Sequence, residues 1–253
     1  MSRAAPRLAL RPWQQIARGA LLASALAAQV AAQSVETRLG GYVVRFEAPT
    51  DRYGHAIMGD LPEWGRLCLG PRAAPTCVEL PETSVFEDIA PRLYDLDGDG
   101  VPEAVVVESS FAAGAALVVY RVSGGTLQRI ATPPIGTRNR WLAPAGIGDL
   151  DGDGAVEIAF VDRPHLAKTL RIWRYRDGTL EPVASAPGLT NHRIGDPFIE
   201  GGLRVCVAGP EIITADARWR EIVASRLVEG RIVSVALGPY SAAAMRTVLD
   251  CGL

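Results

Sequence analysis

Residues 94–107 read YDLDGDGVPEAVVV and residues 148–161 read GDLDGDGAVEIAFV. Each is an acidic turn punctuated by glycine that runs straight into an apolar strand. Their leading aspartates, Asp95 and Asp149, stand 54 residues apart, the size of a multi-strand repeat unit. Fainter copies flank the pair: Gly195-Asp196-Pro197-Phe198-Ile199-Glu200 leads into LRVCV, and Gly59-Asp60-Leu61-Pro62-Glu63-Trp64 leads into RLCL. Pro62, Trp64 and Phe198 stand where acids are needed, so these copies are expected to be framework and not metal sites.

Between the copies the chain reads as short strands and turns. Thr169 to Arg176 alternates and is followed by Asp177-Gly178, a hairpin signal; the preceding unit, ALVVYRVSGGTLQRI, turns at Gly124-Gly125. No segment beyond residue 33 shows a 3.6-residue period with caps, and the 26 glycines and 18 prolines fall mostly between apolar runs. About four strands per unit make an all-β chain, and units of this length are propeller blades rather than solenoid turns. The expectation is a small β-propeller over residues 33–253, with five blades and four as the alternative. GGYVVRFE near the start and GRIVSVALGP with MRTVLDC at the end are expected to pair, completing the last blade and burying two sheet edges.

The pattern D-x-D-G-D-G-x-x-E carries a specific chemistry. Asp95, Asp97 and Asp99 turn toward one centre if the chain wraps, and Gly98 and Gly100 permit the backbone angles that wrapping needs. The carbonyl of Val101 and the carboxylate of Glu103 complete an all-oxygen set; Asp149, Asp151, Asp153, the carbonyl of Ala155 and Glu157 repeat it. Oxygen ligands with several charges suit a hard cation, and two Ca²⁺ sites are expected. An EF-hand is excluded, because its twelfth position needs a carboxylate where this chain has Val106 and Phe160, and its flanks must be helical. Magnesium favours more water, and transition metals favour His or Cys. The plain competing reading, a solvated acidic turn, is weakened by finding two copies at equivalent repeat positions.

The D-L-D-G-D-G-x-x-E turn followed by an apolar strand resembles the calcium-binding repeat of FG-GAP/VCBS proteins, the family of integrin α-subunit-type propellers. The likeness is strong over 94–107 and 148–161 and weak near 59–69 and 195–207. It implies blade architecture across residues 33–253, with calcium held by the side chains at positions 1, 3, 5 and 9 and the carbonyl at 7. Position 9 is usually Asp in the family but is Glu103 or Glu157 here. Many relatives have seven blades, for which this chain is too short.

Residues 1–32 contain Arg3, Arg7, Arg11 and Arg18 and no acid. The apolar stretch Gly19 to Ala32 ends in Val30-Ala31-Ala32, small residues suited to cleavage before Gln33, so this segment reads as a signal peptide. A short amphipathic helix is the competing reading. With no twin arginine and no lipoprotein cysteine, the product is expected to be periplasmic or secreted. The whole chain carries 26 Lys+Arg against 28 Asp+Glu, a formal charge of −2, which argues against non-specific nucleic-acid binding. With 48% hydrophobic and 21% charged residues it is globular, and no apolar stretch is long enough for a membrane span. Cys68 and Cys77 flank the turn-like segment Gly70 to Pro75, so a hairpin would oppose them; Cys206 with Cys251 follows by elimination. Four cysteines allow three connectivities, and sequence does not choose among them.

Function beyond calcium is thinly written. TRNRW (137–141) and TNHRI (190–194) hold the only two asparagines of the chain. They bring together Arg138, Asn139, Arg140, Trp141, Asn191, His192 and Arg193 as candidate ligand-binding residues for a protein, glycan or envelope component. The competing reading is polar turns with Trp141 packed as core. A non-catalytic binding module is expected, since there is no G-x-S-x-G or H-E-x-x-H and the two acid loops share one ligand set. The alternative is a calcium-dependent carbohydrate-active enzyme, a hydrolase or lyase.

Overall fold

Apolar runs such as Ala104–Val107 and Ile158–Val161 leave no polar face for solvent, so strands made of them must be covered on both sides. The computed structural model, which describes Met1 and residues 34–252, meets that demand by stacking antiparallel meanders face to face. The signal-peptide reading concerns residues 1–32, which apart from Met1 lie outside the described residues.

The first meander is β1 (Val35–Leu39), β2 (Tyr42–Thr50), β3 (Glu63–Pro71) and β4 (Thr76–Glu79). After the short β5 (Ser84–Phe86) comes the second: β6 (Arg92–Tyr94), β7 (Glu103–Ser110), β8 (Gly114–Ser123) and β9 (Thr126–Ala131). Because β5 pairs with both β3 and β7, these two meanders form one nine-stranded sheet. The third is β10 (Leu142–Gly148), β11 (Val156–Asp162), β12 (Thr169–Arg176) and β13 (Thr179–Pro187). The last sheet holds β14 (Leu189–Thr190), β15 (Gly202–Cys206), β16 (Gly209–Asp216), β17 (Glu221–Val228) and β18 (Arg231–Pro239). The hairpins fall where expected, Ser123 facing Thr126 across Gly124-Gly125 and Arg176 facing Thr179 across Asp177-Gly178. The fold is all-β and propeller-like.

Successive side chains of the central strands enter different cores. Ala104 and Val106 of β7 and Ala116, Val118 and Tyr120 of β8 join Val44, Phe46, Leu67 and Leu69 of the first meander. Their neighbours Val105, Val107, Leu117 and Val119 join Ile158 and Phe160 of β11. Ala159 and Val161 turn the other way, onto Ile212, Val223 and Leu227 of the last sheet. Gly146 sits at that third junction: a Cβ there would lie 2.7 Å from Ile212 Cδ1 and 2.8 Å from Leu203 Cβ, so only glycine allows the approach.

The ends of the stack differ from the expected closure. The terminal segments do not pair with each other: GGYVVRFE supplies β2, bonded to β1 and β3, and GRIVSVALGP is β18, bonded to β17. The outer face of the first meander carries the ion pairs Arg38–Glu36, Arg45–Glu47, Arg66–Glu47 and Arg66–Glu79 beside the Cys68–Cys77 disulfide. The outer face of the last sheet is covered by a helix, α1 (Ala242–Leu249), in place of the strand expected from MRTVLDC. Ser241 caps it by accepting from the Ala244 N–H (3.0 Å), and the alanine run favours helix, so local propensity overrides the apolar pattern. Met245 and Val248 bury against Ile213, Ile222 and Ala224. Arg204 donates to the Val248 carbonyl at the helix end (2.8 Å) while paired with Glu211, and Cys206–Cys251 ties the last turn to β15.

Both disulfides therefore match the sequence pairing. Loop-closure entropy assigns about 3 kcal/mol to Cys68–Cys77, separated by 9 residues, and about 4 kcal/mol to Cys206–Cys251, separated by 45. The double variant Cys206→Ser/Cys251→Ser is expected to lose that larger amount in urea unfolding and to make α1 sensitive to limited proteolysis. The variant Leu117→Ala, at a fully buried position between the second and third meanders, is expected to lose about 2–5 kcal/mol in the same assay.

Candidate functional site

The first acid loop joins β6 to β7, with Tyr94 and Glu103 facing each other across the two strands. Gly98 and Gly100 take φ of +74° and +85°, the left-handed region where a side chain is strained. Four N–H groups hold the wrap: Gly100 donates to Asp95 Oδ2 (3.0 Å), Asp99 to Asp97 Oδ1 (3.3 Å), Val101 to Asp99 Oδ1 (2.7 Å) and Leu96 to Glu103 Oε2 (2.9 Å). Each acid thus uses one oxygen on the backbone and has the other without a hydrogen-bond partner among the described residues. One of these, Asp95 Oδ1, is buried, and a buried carboxylate oxygen with no partner is costly unless a ligand meets it. Asp95, Asp97 and Asp99 each bring an oxygen within 4.8 Å of the others. Burial, with the charges of Asp97 and Asp99, pushes the Glu103 carboxyl up to about 7. A divalent cation would reverse that, and the donors are oxygen alone, so the residues fit Ca²⁺.

The second loop, between β10 and β11, repeats the anchors. Gly152 and Gly154 donate to the two oxygens of Asp149 (2.7 and 3.0 Å), Asp153 to Asp151 Oδ1 (3.4 Å), Ala155 to Asp153 Oδ1 (2.9 Å) and Leu150 to Glu157 Oε2 (2.8 Å). Asp149, Asp151 and Glu157 again bring oxygens within 4.8 Å of one another. Here a guanidinium enters. Arg174 of β12, opposite Glu157 in the register, places Nε 2.5 Å from Glu157 Oε1, Nη2 2.8 Å from Asp151 Oδ2 and Nη1 2.9 Å from Asp153 Oδ2. The faint copies form no such acid group among the described residues; they touch each other instead, Gly59 lying so close to Gly195 that a Cβ on it would come within 2.7 Å of the Gly195 carbonyl oxygen.

A pocket of about 300 Å³ lies elsewhere, lined among others by His55, Asn139, Arg140, His165, Leu166 and Ile194. It brings together Asn139, Arg140 and Trp141 from the candidate ligand set. Trp141 is 2% exposed, donates from Nε1 to the Glu87 carbonyl (2.8 Å) and sits edge-on to His192 at 4.9 Å, so it is a core residue with one edge at the pocket. The other candidates have structural tasks. Arg138 lies over the Phe111 and Tyr53 rings at 4.7 and 5.4 Å, and Arg193 over Trp219 and Tyr240 at 3.6 and 4.9 Å. Asn191 is buried and donates to the Ala143 and Pro144 carbonyls (3.3 and 3.2 Å).

Sequence reasoning missed His55 and His165, because histidines at 55, 165 and 192 show no spacing in the chain. His192 Nε2 donates to the Asp196 carbonyl (2.9 Å), which can only accept; in the neutral ring Nδ1 then accepts from His165 Nε2–H (3.0 Å). Burial, with His192 alongside, pushes His165 down to about 4, and burial also lowers His192. His55 Nδ1 is 2.6 Å from Glu87 Oε1, and the Ser109 hydroxyl donates to the other Glu87 oxygen. Burial raises the Glu87 carboxyl against the opposing pull of His55 and Ser109.

Residues 95–160, from the first acid loop through the strand after the second, match the model of the FG-GAP-like repeat. The chain carries that repeat. No curated protein sequence matches the chain. Two variants of an exo-β-1,3-galactanase from Phanerochaete chrysosporium, solved with β-1,3-galactotriose, align with 81% of this chain at 11% identity and TM-scores of 0.42 and 0.39. The aligned part covers 49% of the galactanase chain, so this chain spans about half of its length.

The buried histidine pair sets a pH dependence. The unfolded chain protonates His165 near 6.5 and the folded chain only near 4, so its contribution to stability is complete above pH 6.5 and is lost as pH falls toward 4. The melting temperature is expected to fall across that window, and to fall less steeply in His165→Gln; equal slopes in the two proteins would remove the histidine pair as a cause.

Proposed function

We propose that this chain is an exported, calcium-stabilised, propeller-like module that binds a protein, glycan or envelope component without catalysing a reaction. The observation that carries the binding reading is the pocket beside Trp141. Ile57, Leu166 and Ile194 supply apolar wall, while Asn139, Arg140, Arg163, His55 and His165 supply polar groups, the mixture typical of ligand sites. Leu166 and Ile194 are 62% and 71% exposed at its rim, as a docking surface requires. No carboxylate is among the residues lining the pocket, whereas glycoside hydrolysis in most families uses a pair. The buried chain Ser109–Glu87–His55 has the acid in the middle, so the serine proton points to a carboxylate and not to the histidine base that would activate it. That arrangement orients His55.

Calcium in the first loop would be held by the side chains of Asp95, Asp97, Asp99 and Glu103 and the backbone carbonyl of Val101. Its chemistry there is charge neutralisation, which fixes the start of β7. None of the loop acids lines the pocket, so the ion stabilises the fold and the ligand binds elsewhere. Two disulfides, and the absence among the described residues of a helix long and apolar enough to cross a membrane, fit an extracellular or exported protein. The arginine-rich segment before Gln33 would be its leader.

Chelation is expected to lower the melting temperature, since one site in calcium at about 100 times Kd adds about 2.7 kcal/mol. An unchanged melt in EDTA, with no calcium by elemental analysis, would reduce the loop to a turn. Glycan arrays and pull-down from periplasmic extract are expected to yield a ligand whose binding drops at least about tenfold, roughly 1.4 kcal/mol, in Arg140→Ala and in Leu166→Ala. Unaltered binding in both variants would dismiss the pocket. Trp141→Ala is a stability variant and not a binding probe, because its ring is core.

A further inference from the structure

The two acid loops are near copies in sequence, yet their oxygens are not equally free. In the second loop every carboxylate oxygen of Asp149, Asp151, Asp153 and Glu157 has a protein partner: five backbone N–H groups take the inner ones and Arg174 takes the rest. The three oxygens on Arg174 are those of positions 3, 5 and 9. In the first loop the corresponding Asp97 Oδ2, Asp99 Oδ2 and Glu103 Oε1 have no hydrogen-bond partner among the described residues, and Asp95 Oδ1 is buried without one. Asp149 Oδ1, the equivalent of that orphan, is satisfied by Gly152 N–H at 2.7 Å.

We infer that Arg174 is the resident cation of the second loop, so that this loop is held without calcium and the chain takes up one ion, at the first loop. A guanidinium presents nitrogens in three in-plane directions at fixed angles, and here each meets a different carboxylate at 2.5–2.9 Å. It delivers one positive charge to the point where a calcium ion would deliver two, from a strand already in register with Glu157. Calcium could enter only by displacing all three charge-assisted bonds. The first loop has an arginine at the matching place: the register that pairs Ala104 with Tyr120 sets Arg121 opposite Glu103. Arg121 forms no ion pair with the loop acids, and its Nη1 lies beside Gly178, in the β12–β13 turn of the next meander. Its Nε is buried without a partner, so it is not drawn to the acids even at that cost.

This inference rests on the calcium reading of the first loop for its wild-type count and on Arg174 alone for the second. The test is calcium titration of the full purified chain by calorimetry, with elemental analysis after dialysis. Wild type is expected to bind one equivalent and Arg174→Met two, with the variant's melting temperature becoming more sensitive to EDTA. A folded Arg174→Met, judged by circular dichroism, that gains no equivalent overturns the inference. If that variant does not fold, Asp151→Asn decides: with Arg174 in place the calcium count should stay at the wild-type value, and a loss of one equivalent shows that the second loop was binding all along. A wild type that binds none beside an Arg174→Met that binds one would overturn the calcium reading of the first loop and uphold the role of Arg174.

Discussion

Strands that are apolar on both faces cannot end at water, and the rest of this molecule follows from that constraint. β7, β8 and β11 send alternate side chains into different cores, so each meander is obliged to have a neighbour on either side. Dispersion and apolar burial hold such a stack with little help from polar contacts, because interdigitating faces reach interior packing density. The acid loops are fixed by the same demand. Glu103 and Glu157 begin buried strands, so their carboxylates are drawn inward with the backbone and must be neutralised where they lie.

A stack of obligate layers has two ends, and this chain finishes them differently. At the first, Arg and Glu side chains alternate with the apolar residues of β1–β4, giving a face that is solvated and cross-linked by Cys68–Cys77. At the last, α1 lays Met245 and Val248 over Ile213, Ile222 and Ala224, and Cys206–Cys251 prevents it from lifting. Each disulfide therefore secures an outermost layer, where local opening costs least.

Charge inside the molecule is handled by three distinct means. The first loop leaves one oxygen of each acid open, an arrangement that asks for an external cation. The second satisfies its acids with Arg174, and the pocket region holds Glu87 between His55 and Ser109 and pairs the histidines at 165 and 192 with each other. The last two find their partners within the chain; the first does not.

Much of this was legible in the chain itself. The acid turns, their glycines at positive φ, the hairpins at Gly124-Gly125 and Asp177-Gly178 and the Cys68–Cys77 pair rest on local spacing, which short-range stereochemistry determines; Cys206–Cys251, 45 residues apart, followed only by elimination. The helix at Ala242–Leu249 was hidden because MRTVLDC alone resembles a strand and the Ser241 cap lies outside that window. The histidine-lined pocket was invisible because residues 55, 57, 139–141, 163, 165, 166 and 194 meet only when distant segments pack. The acid loops show the division most sharply. Sequence determined that both would form, and it placed an arginine opposite the closing glutamate of each. Only tertiary structure decided that Arg174 turns into its loop while Arg121 lies against the neighbouring meander, because a long side chain's rotamer is chosen by the surfaces around it and not by its place in the repeat.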